Sequence, residues 1–324
     1  MRIQPALGQL VRLLPPSHPL RDDPARLARI ALAYRHTPGD PALAERLEHL
    51  GAIALAQELL DAPDGAELAQ LIATDIARTD AVNAITLIPG DDTWPTALDD
   101  LTDAAPFVIW ARGNPQHLAT ADRVTLVGGH EPTRYGRAIA NDFAAGLATR
   151  SYAICTGTGT GTHQAVATAA LAAGGPLIIA LPGGIGSAAA DVDETVMEQI
   201  LDGHGCIISE HPPSEPATRL RGMNRNRLLA ALTSATIALE CGERSDAIQV
   251  AGHARVLGRF LGAVPGSVYS PAAGAHRLIR GFGAELVTHV DDVDELVRGV
   301  SETWRDLGSW SGKAPTSAVG RRVQ

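Results

Sequence analysis

The chain is 324 residues long, enough for one large domain or two smaller ones with a substantial core, and its formal charge of −9 excludes a histone-like basic protein. Three dispersed cysteines, Cys155, Cys206 and Cys241, form no CxxC pair; they exclude a disulfide framework, fit a reducing cytoplasm, and read as buried thiols in or just after apolar runs. No run reaches the roughly 18 apolar residues of a membrane span, and the opening MRIQPALGQLVRLLPPSHPL lacks the apolar core and cleavage site of a signal peptide.

Residues 1–21, with Pro15, Pro16 and Pro19, read as a loose leader. DDPARLARIALAYR then places Leu27, Ile30, Ala31 and Tyr34 on one helical face, with Asp23 as cap and Pro24 in the first turn. GDPALAERLEHLG repeats the device with Asp40, Pro41 and a stop at Gly51, and further helical runs follow near 52–60 and 65–79. Residues 22–82 are therefore expected to form a small all-helical domain. From residue 83 to 298 the period changes. Short apolar runs stand at 84–88, 107–111, 123–129, 151–157, 176–184, 206–210, 235–242, 259–266 and 284–290. From 123 onward they alternate with helical patterns at 134–149, 162–173, 191–202, 224–234, 245–257 and 274–281. Apolar runs separated by amphipathic helices predict an α/β fold: a doubly wound, mostly parallel sheet covered on both faces. Ligands of such sheets bind at the carboxyl ends of the strands. Residues 299–324 are expected to be a flexible tail.

Two segments carry chemistry. CTGTGTGTH (155–163) joins a strand to a helix and presents Gly157, Gly159 and Gly161 where a phosphate could approach the backbone. Its glycines do not follow GxGxxG, and the next strand ends without an acid to hold a ribose, which disfavours a dinucleotide. GxxxxGK[ST], GxSxG and HExxH are absent, so no nucleophile, metal or cofactor is indicated. PGGIGS (182–187) is similar to the PGGxGTxxE loop of lonely-guy type phosphoribohydrolases, but Ser187 and Ala190 stand at the Thr and Glu positions, and a plain tight turn is the favoured reading. The second segment is RLRGMNRNRLLAAL, where Arg219, Arg221, Arg225 and Arg227 gather with no acid among them at a helix start. There an anion would offset the opposing helix dipole. From Arg219 to Arg280 nine Arg face three acids.

The motifs together resemble the DNA-processing protein A (DprA/Smf) family. They are GDDTWPTALDDLTDAAPFVIWARGN (90–114), VTLVGGHEPTRYG (124–136), ISEHPP (208–213), NRNRLLAAL (224–232), ALECGERS (238–245), LGRFLGAVPG (257–266) and AGAHRLIRGFGAELV (273–287). Departures fall in the mouth. His130 replaces the family's Arg, His163 its Asp and Ala167 its His; the aromatic ahead of RNR is absent, and SDAIQVA (245–251) stands for SGSxxTA. The resemblance implies an extended Rossmann-like domain, a homodimer in the cytoplasm, and no catalysis. It further implies a recombination mediator that binds single-stranded DNA and serves a RecA-type recombinase. The expected phosphate-binding residues are Gly128, Gly129, His130, Thr156, Gly157, Gly159, Gly161, Arg219, Arg221, Arg225, Asn226, Arg227 and Ser245. With few aromatics near the mouth, base stacking is expected to contribute little. The alternative is a nucleotide-binding sensor or phosphoribohydrolase-like enzyme of the same fold superfamily.

Overall fold

A computed structural model describes residues 7–120, 122–186 and 191–297; the expected tail, the first six leader positions, Ser187 of PGGIGS and Ala190 lie outside the described residues. Helices α1 (Gly8–Leu13), α2 (Pro24–Arg35), α3 (Pro41–Asp61) and α4 (Gly65–Ala81) come first. Asp23 and Asp40 cap α2 and α3 as their sequences predict, accepting the amides of Arg26 at 2.9 Å and Ala42 at 3.0 Å, with Pro in each first turn. Gly51 breaks α3 at φ +76°, where the sequence placed a stop between two runs.

The leader is not loose within its described part. Leu7, Leu10 and Leu14 are buried in the main core, and Arg21 ties the segment down by donating to the carbonyls of Val11 at 2.6 Å and Leu14 at 2.9 Å. The leucine spacing in LGQLVRLL is helical, a signal the neighbouring prolines obscured.

All nine expected strands form one sheet: β1 (Ala84–Leu87), β2 (Ile109–Gly113), β3 (Arg123–Val127), β4 (Ala153–Thr156), β5 (Leu177–Ala180), β6 (Gly205–Ser209), β7 (Ala235–Ala238), β8 (Phe260–Ala263) and β9 (Glu285–Leu286). Their order is β1-β2-β6-β5-β4-β3-β7-β8-β9. Pairing is antiparallel at β1–β2 and β2–β6 and parallel elsewhere. Helices α5 (Arg134–Ala148) and α6 (Thr162–Ala172) cover one face, where Val124, Leu126, Ile154 and Ile179 point. Helices α8 (Arg219–Ala231), α9 (Asp246–Val256) and α10 (Ala273–Gly281) cover the other, onto Val127, Cys155, Ile178 and Ile208. A short α7 (Glu194–Gln199) precedes β6. Leu27, Ile30, Ile72 and Ile76 of the front helices join the α5–α6 side core with Ala84 and Trp110, so helices and sheet share one apolar cluster. Arg26 strengthens that junction with a two-pronged bond to Asp91 at 2.6 and 2.7 Å.

Strands β4, β5 and β6 lie successively to one side of β3, and the chain then crosses back to lay β7 on its other side. The connections leaving β3 and β7 run to opposite faces. This opens a crevice at their carboxyl ends, the usual ligand position of such a sheet.

Helix α8 starts at Arg219, not at residue 224: Thr218 accepts the amide of Arg221 at 3.2 Å and caps it. Arg225 and Arg227 therefore stand in mid-helix, and the dipole argument applies only to Arg219 and Arg221. Arg227 is also withdrawn from the expected phosphate set. Its fork donates to both oxygens of buried Glu210 at 2.5 Å, and it donates further to the carbonyls of Ala104 at 2.9 Å and Asn224 at 2.7 Å. It clamps α8 to the end of β6. Arg227→Ala strands Glu210 as a buried charge, and a loss of about 3–5 kcal/mol in urea unfolding is expected. A loss under about 1 kcal/mol would contradict the clamp.

Candidate nucleic-acid interface

The mouth is built from the loops after β3, β4 and β7. Gly128 and Gly129 leave β3 and are pinned on both sides. Gly129 donates its amide to the Glu240 carbonyl at 2.9 Å, while its own carbonyl accepts the Thr162 hydroxyl at 2.8 Å. The Ser245 hydroxyl, at the cap of α9, donates to the Gly128 carbonyl at 3.3 Å. Buried Glu240 holds the start of α5 by accepting the Thr133 amide at 2.7 Å and hydroxyl at 2.9 Å. The sequence flagged none of this for Glu240, because its partner lies 107 residues away.

The CTGTGTGTH loop turns as expected. Gly161 has φ +78°, and a Cβ there would sit 2.0 Å from the His130 carbonyl oxygen. Gly157 is needed for a different reason: a Cβ would sit 2.2 Å from Nη1 of Arg225. Two of the loop's backbone donors are already used, Gly157 toward His163 and Thr162 toward Gly129. The amides of 158–161 have no partner among the described residues.

His163, which stands where the resembling family has Asp, is buried. Its Nδ1 accepts the Gly157 amide at 3.3 Å and lies 2.9 Å from the Thr156 hydroxyl, which donates to the Leu126 carbonyl at 2.9 Å. Burial first, then the charges of Arg225 and His130, push its pKa down to about 3. His130 is exposed, with its ring 5.9 Å from that of His163 and its Nε2 3.7 Å from Asp246.

Arg225 reaches from α8 to the ends of β4 and β5. It is 4% exposed and donates Nη1 to the Ala180 carbonyl at 2.9 Å. Its Nε is buried without a partner; Nη2 also lacks one among the described residues but reaches solvent. No carboxylate among the described residues pairs with it, and burial lowers its pKa to about 10. Asn226 donates to Gln249 at 3.1 Å while its Oδ1 stays buried and unsatisfied.

The other expected cations disperse. Arg221 pairs with Glu215, Arg259 with Asp100, and Arg255 and Arg277 flank the Phe282 ring. Arg219 is exposed at the first turn of α8, with no ion pair among the described residues. A cavity of about 440 Å³ adjoins Gly157, with His163, Gln164 and Ile179 on one wall and Asp191 and Asp193 on another. Those two acids make that wall unfavourable for a free phosphate. The turn at 182–186 is occupied structurally: Gly184 and Gly186 donate to the carbonyls of Glu215 at 2.7 Å and Pro213 at 3.1 Å.

The His163 environment has a pH signature. Between about pH 3 and 6.5 the unfolded chain binds a proton that the folded chain does not, so stability falls as pH drops through that window. His163→Asn retains an acceptor for Gly157 and should remove about 2 kcal/mol of the stability lost between pH 7.5 and pH 5 in urea unfolding. An unchanged pH dependence would contradict the buried neutral ring.

The comparisons with known proteins converge. The family model for DNA recombination-mediator protein A matches residues 85–298. A DNA processing protein DprA of Mycobacterium tuberculosis is 34% identical over 301 residues, covering 86% of this chain and 77% of that relative. The DprA of Bacillus subtilis is 26% identical over 67% of this chain and 72% of its own length. The X-ray structure of Streptococcus pneumoniae DprA shares the fold with a TM-score of 0.65 and 24% identity, over 83% of this chain and 96% of that one. A structure addressing the single-stranded DNA binding mode of Helicobacter pylori DprA shares it at 0.57 and 21%, over 68% of this chain and 96% of that one. Residues 85–298, which hold the switch-point crevice, Arg225 and the glycine-rich loop, place the chain in the DNA recombination-mediator protein A family.

Proposed function

We propose that this protein binds single-stranded DNA through its phosphate backbone and acts as a recombination mediator without turnover. One observation carries the reading: Arg225, a nearly buried guanidinium with one carbonyl partner, a solvent-reaching Nη2 and no carboxylate among the described residues. Such a charge is costly to hold, and a phosphate oxygen would both compensate it and use the idle donors. The unpartnered amides of 158–161 and exposed Arg219 supply further donors around it. The binding mode named for the Helicobacter pylori relative supports the same ligand. A homodimer, a RecA-type recombinase as recipient of the strand, and a cytoplasmic setting rest on the family resemblance. Among the described residues no helix is long and apolar enough to cross a membrane. The free-nucleotide reading is disfavoured by Asp191 and Asp193 beside the cavity and by the occupied amides at 184 and 186.

Fluorescence anisotropy with labelled oligo-dT and a duplex of equal length tests the ligand. Preferential single-strand binding is expected, with log affinity falling by roughly 0.7 per neutralised phosphate against log salt. Arg225→Met keeps the aliphatic stem and should weaken oligo-dT about tenfold or more, the worth of a charged hydrogen bond. Its melting temperature should hold or rise, because an uncompensated charge is gone. Undiminished binding by that variant would overturn the site; no oligo-dT binding by the folded parent at low salt would overturn the ligand. Chromatography of AMP, NAD and single-stranded DNA after incubation should reveal no product, and free base released from AMP would contradict the non-catalytic reading.

A further inference from the structure

Tyr135 and Tyr269 are the two exposed Phe, Tyr or Trp side chains among the described residues, and both stand on the carboxyl edge of the sheet. Tyr135 lies in the first turn of α5, which follows β3; Tyr269 lies on the loop between β8 and α10. Strands β3, β7 and β8 are neighbours, so the two loops share one rim with the crevice.

The loop that carries Tyr269 is braced. The Tyr135 hydroxyl donates to the Pro265 carbonyl at 2.8 Å, and Nε2 of His276 lies 2.9 Å from the Gly266 carbonyl oxygen. Ser270 returns both its amide, at 3.0 Å, and its hydroxyl, at 2.9 Å, to the Ser267 carbonyl, and the Tyr269 amide donates to the Ser267 hydroxyl at 3.2 Å. These bonds order the backbone and leave the Tyr269 ring 97% exposed, with no hydrogen-bond partner among the described residues. Val268 beside it is 79% exposed. A preordered aromatic face costs little rotamer entropy to use, since a tyrosine has only two χ angles.

We infer that Tyr269 is a base-stacking platform for the single strand whose phosphates meet Arg225; the inference rests on the single-strand reading above. From the end of β4, where Arg225 meets Gly157, to β8 is three strand spacings, about 14 Å, a span that a short extended strand bridges. The rim between them offers mixed charge. Exposed Arg134 and Arg244 have no ion pair among the described residues, but Glu131 and Glu243 lie on the same loops. Charge alone therefore gives little affinity at that end, whereas a π face serves any base. The chain lacks the aromatic that the resembling family carries ahead of its RNR segment, with Gly222 and Met223 in that place, and the stacking surface lies across the mouth instead. On this inference stacking contributes more than the sequence alone leads one to expect.

The test is anisotropy with oligo-dT and with an oligomer of equal length carrying abasic positions, for the parent, Tyr269→Ala and Tyr269→Phe. Tyr269→Ala should weaken oligo-dT about tenfold while leaving its salt slope and its affinity for the abasic oligomer unchanged. Tyr269→Phe should bind as the parent does. Equal loss toward both oligomers, or no loss while the parent binds oligo-dT, overturns the platform and leaves the Arg225 site standing. A Tyr269→Ala chain that sediments as a smaller species than the parent, with an unchanged preference for oligo-dT over the abasic oligomer, assigns the ring to contact with a second copy and overturns the platform. A parent that binds neither oligomer overturns the platform together with the single-strand reading.

Discussion

Arg225 packs its guanidinium onto Gly157 and finds one protein acceptor, the Ala180 carbonyl. Leaving a nearly buried cation so poorly compensated costs roughly several kcal/mol after relaxation, and the architecture around it follows from that cost. Gly157 carries no Cβ because the fork occupies its place. His163 stays neutral chiefly because the ring itself is desolvated, and the charge of Arg225 adds repulsion in the same direction. Arg227, two residues along, is neutralised by Glu210 and locks α8 in position, so that Arg225 is aimed by a rigid helix and not by a loop. One arginine is committed to the frame while its neighbour keeps donors without a protein partner among the described residues.

The same logic separates the mouth from the adjoining cavity. Asp191 and Asp193 line that cavity, whereas Arg225 does not. A free nucleotide would have to set its phosphates near those carboxylates. On the proposed reading, a strand laid along the rim would meet Arg225, the amides of 158–161 and the loop ends tied together by Glu240.

Much of the frame was legible in the sequence. Nine short apolar runs became nine strands, because runs such as LIIA and CIIS are buried on both faces and need no period to identify them. The caps Asp23 and Asp40 and the glycine-rich turn act locally, so their chemistry was visible at once. What escaped detection depends on partners far along the chain. Arg225 and Arg227 are two residues apart and look alike, but only Arg227 meets Glu210, and no local pattern separates them. The nine arginines of 219–280 looked like one basic zone; the fold sends Arg259 to Asp100 and Arg255 to Phe282 instead. The earlier start of α8 was readable in Thr218, and the packing of the leader in its leucines. Tyr269 escaped notice because exposure at a strand end is a tertiary property.

The central claim is that the idle donors of Arg225 await a phosphate. The most direct measurement is a proton–nitrogen spectrum of the arginine side chains, with the Arg225 Nε–H assigned by its loss in Arg225→Met, recorded as oligo-dT is added. The account predicts that this resonance shifts and that its proton exchanges more slowly with solvent as a phosphate oxygen engages the guanidinium, while the Arg227 resonance stays in place. An Arg225 resonance that does not move under saturating oligo-dT would contradict it.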